Sequence, residues 1–318
     1  MKTQPSIHCR SLRPPLFWLL ALSWFITSTP LGAQAVSGQR TFSSPSEAAK
    51  ALVEAARSGD SQQLAPVLGP QAKDLVSSGD PVADKQTLAR FVKSYDEKHS
   101  FSVEAQGYEV LQVGTKDWPF PFPIVRDGFQ WYFDGSRGAE EVIDRRIGRN
   151  ELGAIGVCEG FVQAELEYAS KGHDGNPSGI YAQRLHSDPG KHNGLYWATS
   201  KGEPESPMGP LVTSAVAEGY SPQAAGRPAA YHGYLYKILT AQGPDVVGGE
   251  ESYTVGEKLT GGFALIAYPV QYGSSGIMTF MVNQSGIVYQ KDLGEQTSDL
   301  ASQITAYNPD SSWQPAQE

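Results

Sequence analysis

The sequence predicts an α+β protein, and three observations carry that reading. Helical periodicity opens the chain after residue 42, aromatic segments alternating with a period of two follow, and a long amphipathic helix then leads into further strands. The expected order is N-terminal helices with an antiparallel sheet over 36–147, then a long helix packed on an antiparallel sheet over 148–318. Residues 1–35 read apart from both. At 318 residues the chain is long enough for two such bodies, and 40% hydrophobic content excludes a disordered one.

Residues 1–35 read as a secretory signal. Lys2, Arg10 and Arg13 form a basic start without an acid. Leu16 to Ile26 is apolar except for Ser23, too short a run to span a bilayer. Pro30 ends it, and Ala33-Gln34-Ala35 supplies the small-x-small cleavage pattern. The expected location is the periplasm or exterior of a bacterium, with no stable membrane span after cleavage. The formal charge is −9; without the three basic residues of the signal, 22 basic face 34 acidic residues, a net −12. That excludes a nucleic-acid partner, whose phosphates demand a basic face. Beyond the signal only Cys158 remains, so no internal disulfide is expected.

Ser44-Pro45-Ser46-Glu47 is a capping box that opens a helix with Ala48, Ala51, Leu52, Ala55 and Ala56 on one stripe. Asp60 to Leu68 restarts a short helix, and a third carries Leu88, Phe91, Val92 and Tyr95. Strands are expected at 101–106, 108–113 and 118–125. In the last, Trp118, Phe120, Phe122 and Ile124 alternate with Pro119, Pro121 and Pro123. The missing donors predict an edge strand or strap. Asp127-Gly128 turns the chain, and Phe129, Trp131 and Phe133 return on one face. Such a face reads either as a hairpin packed on the core or as an aromatic binding groove using Trp118, Phe120 and Trp131. The order of these segments resembles the nuclear-transport-factor-2-like cone fold over about 42–146, with no catalytic pair to transfer.

A helix is expected over 151–170, with Leu152, Ile155, Val162, Leu166 and Ala169 on one face, Ala154, Cys158, Phe161 and Tyr168 beside it, and more than half of its circumference covered. Glu159 falls at the edge of that arc and Glu165 inside it. Gly153, Gly156 and Gly160 suggest that another backbone comes close. Strands follow at 231–239, 263–268, 277–283 and 287–290. A Gly/Pro-rich stretch with a short helix at 211–218 lies between. On the strand at 231–239, His232, Tyr234, Tyr236 and Ile238 share a face. Tyr234 and Tyr236 are candidates for binding glycan or peptide, against plain sheet packing. "NELGAIGVCEGFVQAELEYAS" and "FALIAYPVQYGSSGIMTFMVNQSGIVYQ" resemble the globular head of type IV pilins and pseudopilins.

Long segments, among them "DWPFPFPIV", "RRIGRNEL", "YAQRLHSDPGKHNGLYW" and "YHGYLYKILTAQGP", resemble the exported bacterial family called domain of unknown function 2950. The resemblance runs from Phe42 to Trp313. It implies secretion and carries no catalytic residues.

Chemistry is sparse. His186 and His192 flank "SDPGK", near His173 and Asp174, without a standard metal spacing. Asp174 to Gly179 has the start of a calcium loop, but Leu185 stands where a bidentate Glu is needed. No G-x-S-x-G elbow and no phosphate loop occurs, and Cys158 sits in an apolar helical pattern. The expectation is an exported, non-catalytic envelope protein that binds or scaffolds an envelope partner or ligand, with no catalytic residue, metal or cofactor assigned. The alternatives are a periplasmic hydrolase with its site in the cone or beside His186 and His192, or a small-ligand carrier with a cone lined by Trp118, Phe120 and Trp131.

Overall fold

A computed structural model of the chain describes residues 37–72, 81–200, 202–217 and 230–316. The expected signal at 1–35 lies outside them, as do Glu218 and Gly219 at the expected end of the short helix. The described residues belong to one compact unit, Gln34–Glu318. No described helix is long and apolar enough to cross a membrane.

The first helix, α1 (Pro45–Arg57), starts where its capping residues place it. The Ser44 hydroxyl accepts from the Glu47 N–H. The Glu47 carboxylate reaches back to the N–H and hydroxyl of Ser43, which holds its pKa below the usual carboxylate value. The alanine stripe, with Leu52, is buried. It packs with α2 (Ala65–Leu68) and α3 (Pro81–Glu97), whose Leu88, Phe91, Val92 and Tyr95 are half-buried against the same core.

The sheet over this core is antiparallel. Its strands are β1 (His99–Val103), β2 (Glu109–Val113), β3 (Trp118–Pro119), β4 (Ile124–Asp127) and β5 (Gln130–Phe133). The order is β1-β2-β4-β5, and β3 also pairs with β2. The proline-rich segment is therefore an edge piece at Trp118–Pro119, where β2 is its only strand partner, and the chain enters the sheet interior only from Ile124, between β2 and β5. Its ladder lapses between Pro119 and Ile124, where Pro121 and Pro123 have no N–H to donate. Phe122, Ile124 and Phe133 are buried there.

The long helix starts at Gly135, not at Glu151: α4 runs Gly135–Ala169. Asp134 caps it by accepting from the N–H groups of Ser136 and Arg137. The early turns escaped the sequence reading because they are polar and carry Gly135, Gly138 and Gly148. Gly138 is required by packing, since a Cβ there would sit 2.0 Å from the Phe122 ring. Val142 packs on the first core, and residues from Ala154 onward enter a second.

In that second stretch the buried arc is narrower than the expected one and keeps to the side of Ala154, Cys158, Phe161 and Tyr168. Leu152 and Leu166 are 58% and 46% exposed. The covered side chains include Ala154, Ile155, Cys158, Phe161, Val162, Glu165 and Tyr168. The glycines also play a different part. Gly153 makes room for the His232 ring and Gly160 for Leu211, while a Cβ on Gly156 would meet nothing.

The second sheet has the order β14-β13-β12-β11-β6 and is antiparallel throughout. Its members are β6 (Tyr234–Leu239), β11 (Ala264–Pro269), β12 (Met278–Asn283), β13 (Tyr289–Asp292) and β14 (Gln314–Pro315). Short ribbons β7 (Ala241–Gln242) with β8 (Glu251–Ser252), and β9 (Thr254–Val255) with β10 (Lys258–Leu259), lie between β6 and β11 in sequence. Strand β6 starts three residues later than expected, because His232 and Gly233 take φ +49° and +70° and form a tight turn between Tyr231 and Tyr234. Helix α4 covers one face of this sheet. Helix α6 (Thr297–Gln303), unforeseen in the sequence, covers the other. There the Lys237 ammonium donates to the carbonyls of Ala301 and Ser302 at the helix end. Two polar residues pin α4 to the sheet: Asn150 donates to the Ser275 carbonyl at 2.9 Å, and the Glu151 carboxylate accepts from the N–H groups of Ile277 and Met278. The stretch between α4 and β6 is mostly irregular and holds α5 (Gly209–Ala217).

Candidate binding surface

Trp118 stands on β3 with 61% of its surface exposed. It is held in place. The Arg145 guanidinium lies 5.6 Å from its ring centroid. Arg145 itself is fixed twice, donating to the Glu141 carboxylate and to the Pro119 carbonyl, each at 2.7 Å. Glu141 and Arg145 are one turn apart on α4, so the helix presents the guanidinium to the strand.

Phe120 faces the other way. Its ring lies 5.1 Å from Phe91, 5.7 Å from Phe122 and 6.0 Å from Phe133, within the first core. Trp131 on β5 is half-buried against the same core, and its backbone exchanges two hydrogen bonds with Phe42. The Arg126 guanidinium stands 5.7 Å from its ring, anchored on the Gly128 carbonyl. Arg40 over Phe42 and Arg137 over Tyr108 repeat the arrangement at 5.2 and 5.3 Å. Phe129, at the tip of the β4–β5 hairpin, is 87% exposed. Register places Trp118 beside Val113 and that hairpin tip beyond Glu109, so the two exposed aromatics mark opposite ends of the sheet.

Tyr234 and Tyr236 belong to the second core. Tyr234 is wholly buried, its hydroxyl donates to the Met278 carbonyl at 2.9 Å, and burial pushes its pKa up. Tyr236 is half-buried and donates to the Tyr231 carbonyl. The five candidate residues thus occupy three settings: Phe120 and Trp131 line the first core, Tyr234 and Tyr236 the second, and Trp118 stands outside both. The arginine clamps were not singled out from sequence. The i,i+4 pair Glu141–Arg145 was visible there, but its reach to a strand 26 residues away was not.

The titratable groups are committed elsewhere. Burial pushes the Cys158 thiol pKa up, away from the reactive thiolate. The His173 ring stacks on Tyr168 at 4.1 Å and lies near the Tyr168 carbonyl, and burial lowers its pKa. His192 stacks on Trp197 at 4.4 Å, and its backbone N–H donates to Asp174. That bond occupies a carboxylate oxygen of the calcium-like turn. His186 packs edge-on against Tyr196, and burial lowers its pKa too. His99 lies in β1 and stacks on Tyr95. Among the described residues, no three His, Cys, Asp or Glu side chains gather so as to hold a metal ion.

These features define an α+β protein in which one long helix serves two hydrophobic cores and aromatic side chains are clamped at the surface by arginine. The chain belongs to the family described as Protein of unknown function (DUF2950), which it matches over residues 39–316. No curated protein and no solved structure matches it.

Proposed function

We propose that this chain is an exported envelope protein that works as a non-catalytic binding or scaffolding module. The observation that carries the reading is the Trp118–Arg145 clamp. An indole left mostly in solvent would ordinarily sample several rotamers. Here a guanidinium anchored at two points holds it beside the rigid Pro119. Ordering such a side chain before a ligand arrives removes part of the entropic cost of association, and Trp and Arg are both enriched among the residues that carry binding energy. The described histidines, by contrast, are engaged in packing or backbone contacts. Export rests on the sequence pattern of residues 1–35.

The test is a fluorescence titration of the purified protein with soluble peptidoglycan fragments and, separately, with extended peptides. A saturable change that Trp118→Ala and Arg145→Ala both abolish, at unchanged melting temperature, supports the reading. Turnover of ester, peptide or glycoside substrates that disappears in His186→Ala or His192→Ala would overturn it.

A further inference from the structure

Strand β1 is an open edge whose pattern is complementary to itself. In an antiparallel ladder, alternate residues exchange hydrogen bonds with the neighbour while those between them point their N–H and C=O groups away. The Gly114 N–H donates to the Lys98 carbonyl, and the Glu104 N–H to the Tyr108 carbonyl. With the observed register, the even-numbered residues of β1 therefore bond to β2. His99, Phe101 and Val103 turn their backbone groups outward. Among the described residues, nothing accepts from or donates to those groups on that side. The edge has no proline, bulge or inward lysine to blunt it, and Val103 is 74% exposed.

We propose that a second copy of this chain docks on this edge, β1 against β1, antiparallel about Phe101. The hydrogen-bonded pairs in that register join residues with outward backbone groups: Phe101 faces Phe101 of the partner subunit, and His99 faces Val103 of the partner subunit. Every outward N–H and C=O of the strand then finds a partner, and the two five-stranded sheets become continuous. Ser100 meets Ser102 of the partner subunit at the close-spaced positions, where small side chains fit. Charge complementarity selects this occupant. One residue beyond each end, Lys98 of one copy falls opposite Glu104 of the other, twice over by symmetry. Lys98 now pairs with Asp117 at an exposed site, so it exchanges or shares that partner at little cost.

The test uses the full chain carrying Cys9→Ser, which leaves only the buried Cys158. Proteins with Ser100→Cys and with Ser102→Cys are prepared separately and then mixed under mild oxidation. The expected result is a disulfide-linked dimer in the mixture and far less in either alone. Sedimentation then gives the association constant without a cross-link. Val103→Pro removes an outward N–H that β2 does not use and sets a ring on the edge, and dimerisation should be lost. Lys98→Glu should weaken it about tenfold, with Glu104→Lys in the same chain restoring it. Sedimentation as a monomer at the highest soluble concentration would overturn the proposal. So would a dimer that survives Val103→Pro or that fails to join positions 100 and 102.

Discussion

Glu165, wholly buried in α4, accepts the backbone N–H of Ala182 at 2.8 Å, and its other carboxylate oxygen has no hydrogen-bond partner. The bond ties the irregular stretch after α4 to the helix. It satisfies only half of the carboxylate, and burial pushes the pKa up to about 8 despite the Ala182 contact.

This sets a pH dependence with a definite sign. The folded chain keeps a proton on Glu165 that the unfolded chain loses near 4.5, the ordinary value. Stability from this group is therefore fully present below pH 4.5, falls as pH rises, and levels off above about 8. The neighbouring Tyr168 hydroxyl, its own pKa raised by burial, stays protonated across that window. Glu165→Gln should remove the slope. Its advantage over wild type, measured in urea melts, should grow from about zero at pH 4.5 to roughly 3–5 kcal/mol at pH 8.5. Parallel curves for the two proteins would contradict the assignment.

Val162→Asp should cost several kcal/mol, because it puts a carboxylate without a partner into the second core, where Val162 is buried. Glu167→Gln should change stability by only a few tenths of a kcal/mol, since Glu167 is exposed and pairs loosely with Lys171 at 3.5 Å. Equal midpoints in denaturant would contradict the packing of α4.

Two glycine substitutions in the same helix should act in opposite directions. Gly156→Ala puts a methyl group into open space and should stabilise by about 0.5–1 kcal/mol. Gly138→Ala places it 2.0 Å from the Phe122 ring and should destabilise despite the better helix propensity. Thermal melts of both variants decide it.

Export should leave Val36 as the first residue of the mature protein, because the small-x-small pattern ends at Ala35. N-terminal sequencing of periplasmic material checks this, and an intact Met1 would count against it.

Much of the fold was legible because local chemistry sets it. The Ser44–Glu47 cap, the alanine stripe of α1, the Asp127-Gly128 turn and the strands around 264–283 all follow from spacing. What was missed depends on distant partners. The first four turns of α4 look weak until Phe122 is seen lying against Gly138. The proline-rich segment is the edge its missing donors predict as far as Pro119, and what went unread is the entry of Ile124 between β2 and β5. Helical spacing puts Leu152 and Leu166 on one face with Ile155 and Val162, but the centre of the covered arc is set by Phe161, Cys158 and Glu165. Glu165 itself stood out in sequence as a charge in an apolar arc, while its partner Ala182 did not. At the surface, Trp118 could be named, but nothing local told an exposed indole from the buried Phe120 two residues on.

The polar pins on α4 impose an order of events on a chain delivered from its N-terminus. Asn150 waits for Ser275, 125 residues further on, and the apolar arc beginning at Ala154 waits for the strands around it. The helices and hairpins that close over Phe42, Leu52 and Phe133 have all arrived by then. During synthesis or translocation an oily helix flank thus stays uncovered while the first core is already shut, and this is the interval of greatest aggregation risk. Hydrogen exchange on nascent chains stalled before Ser275 emerges should show Leu52 and Leu111 protected while Phe161 and Val162 are not.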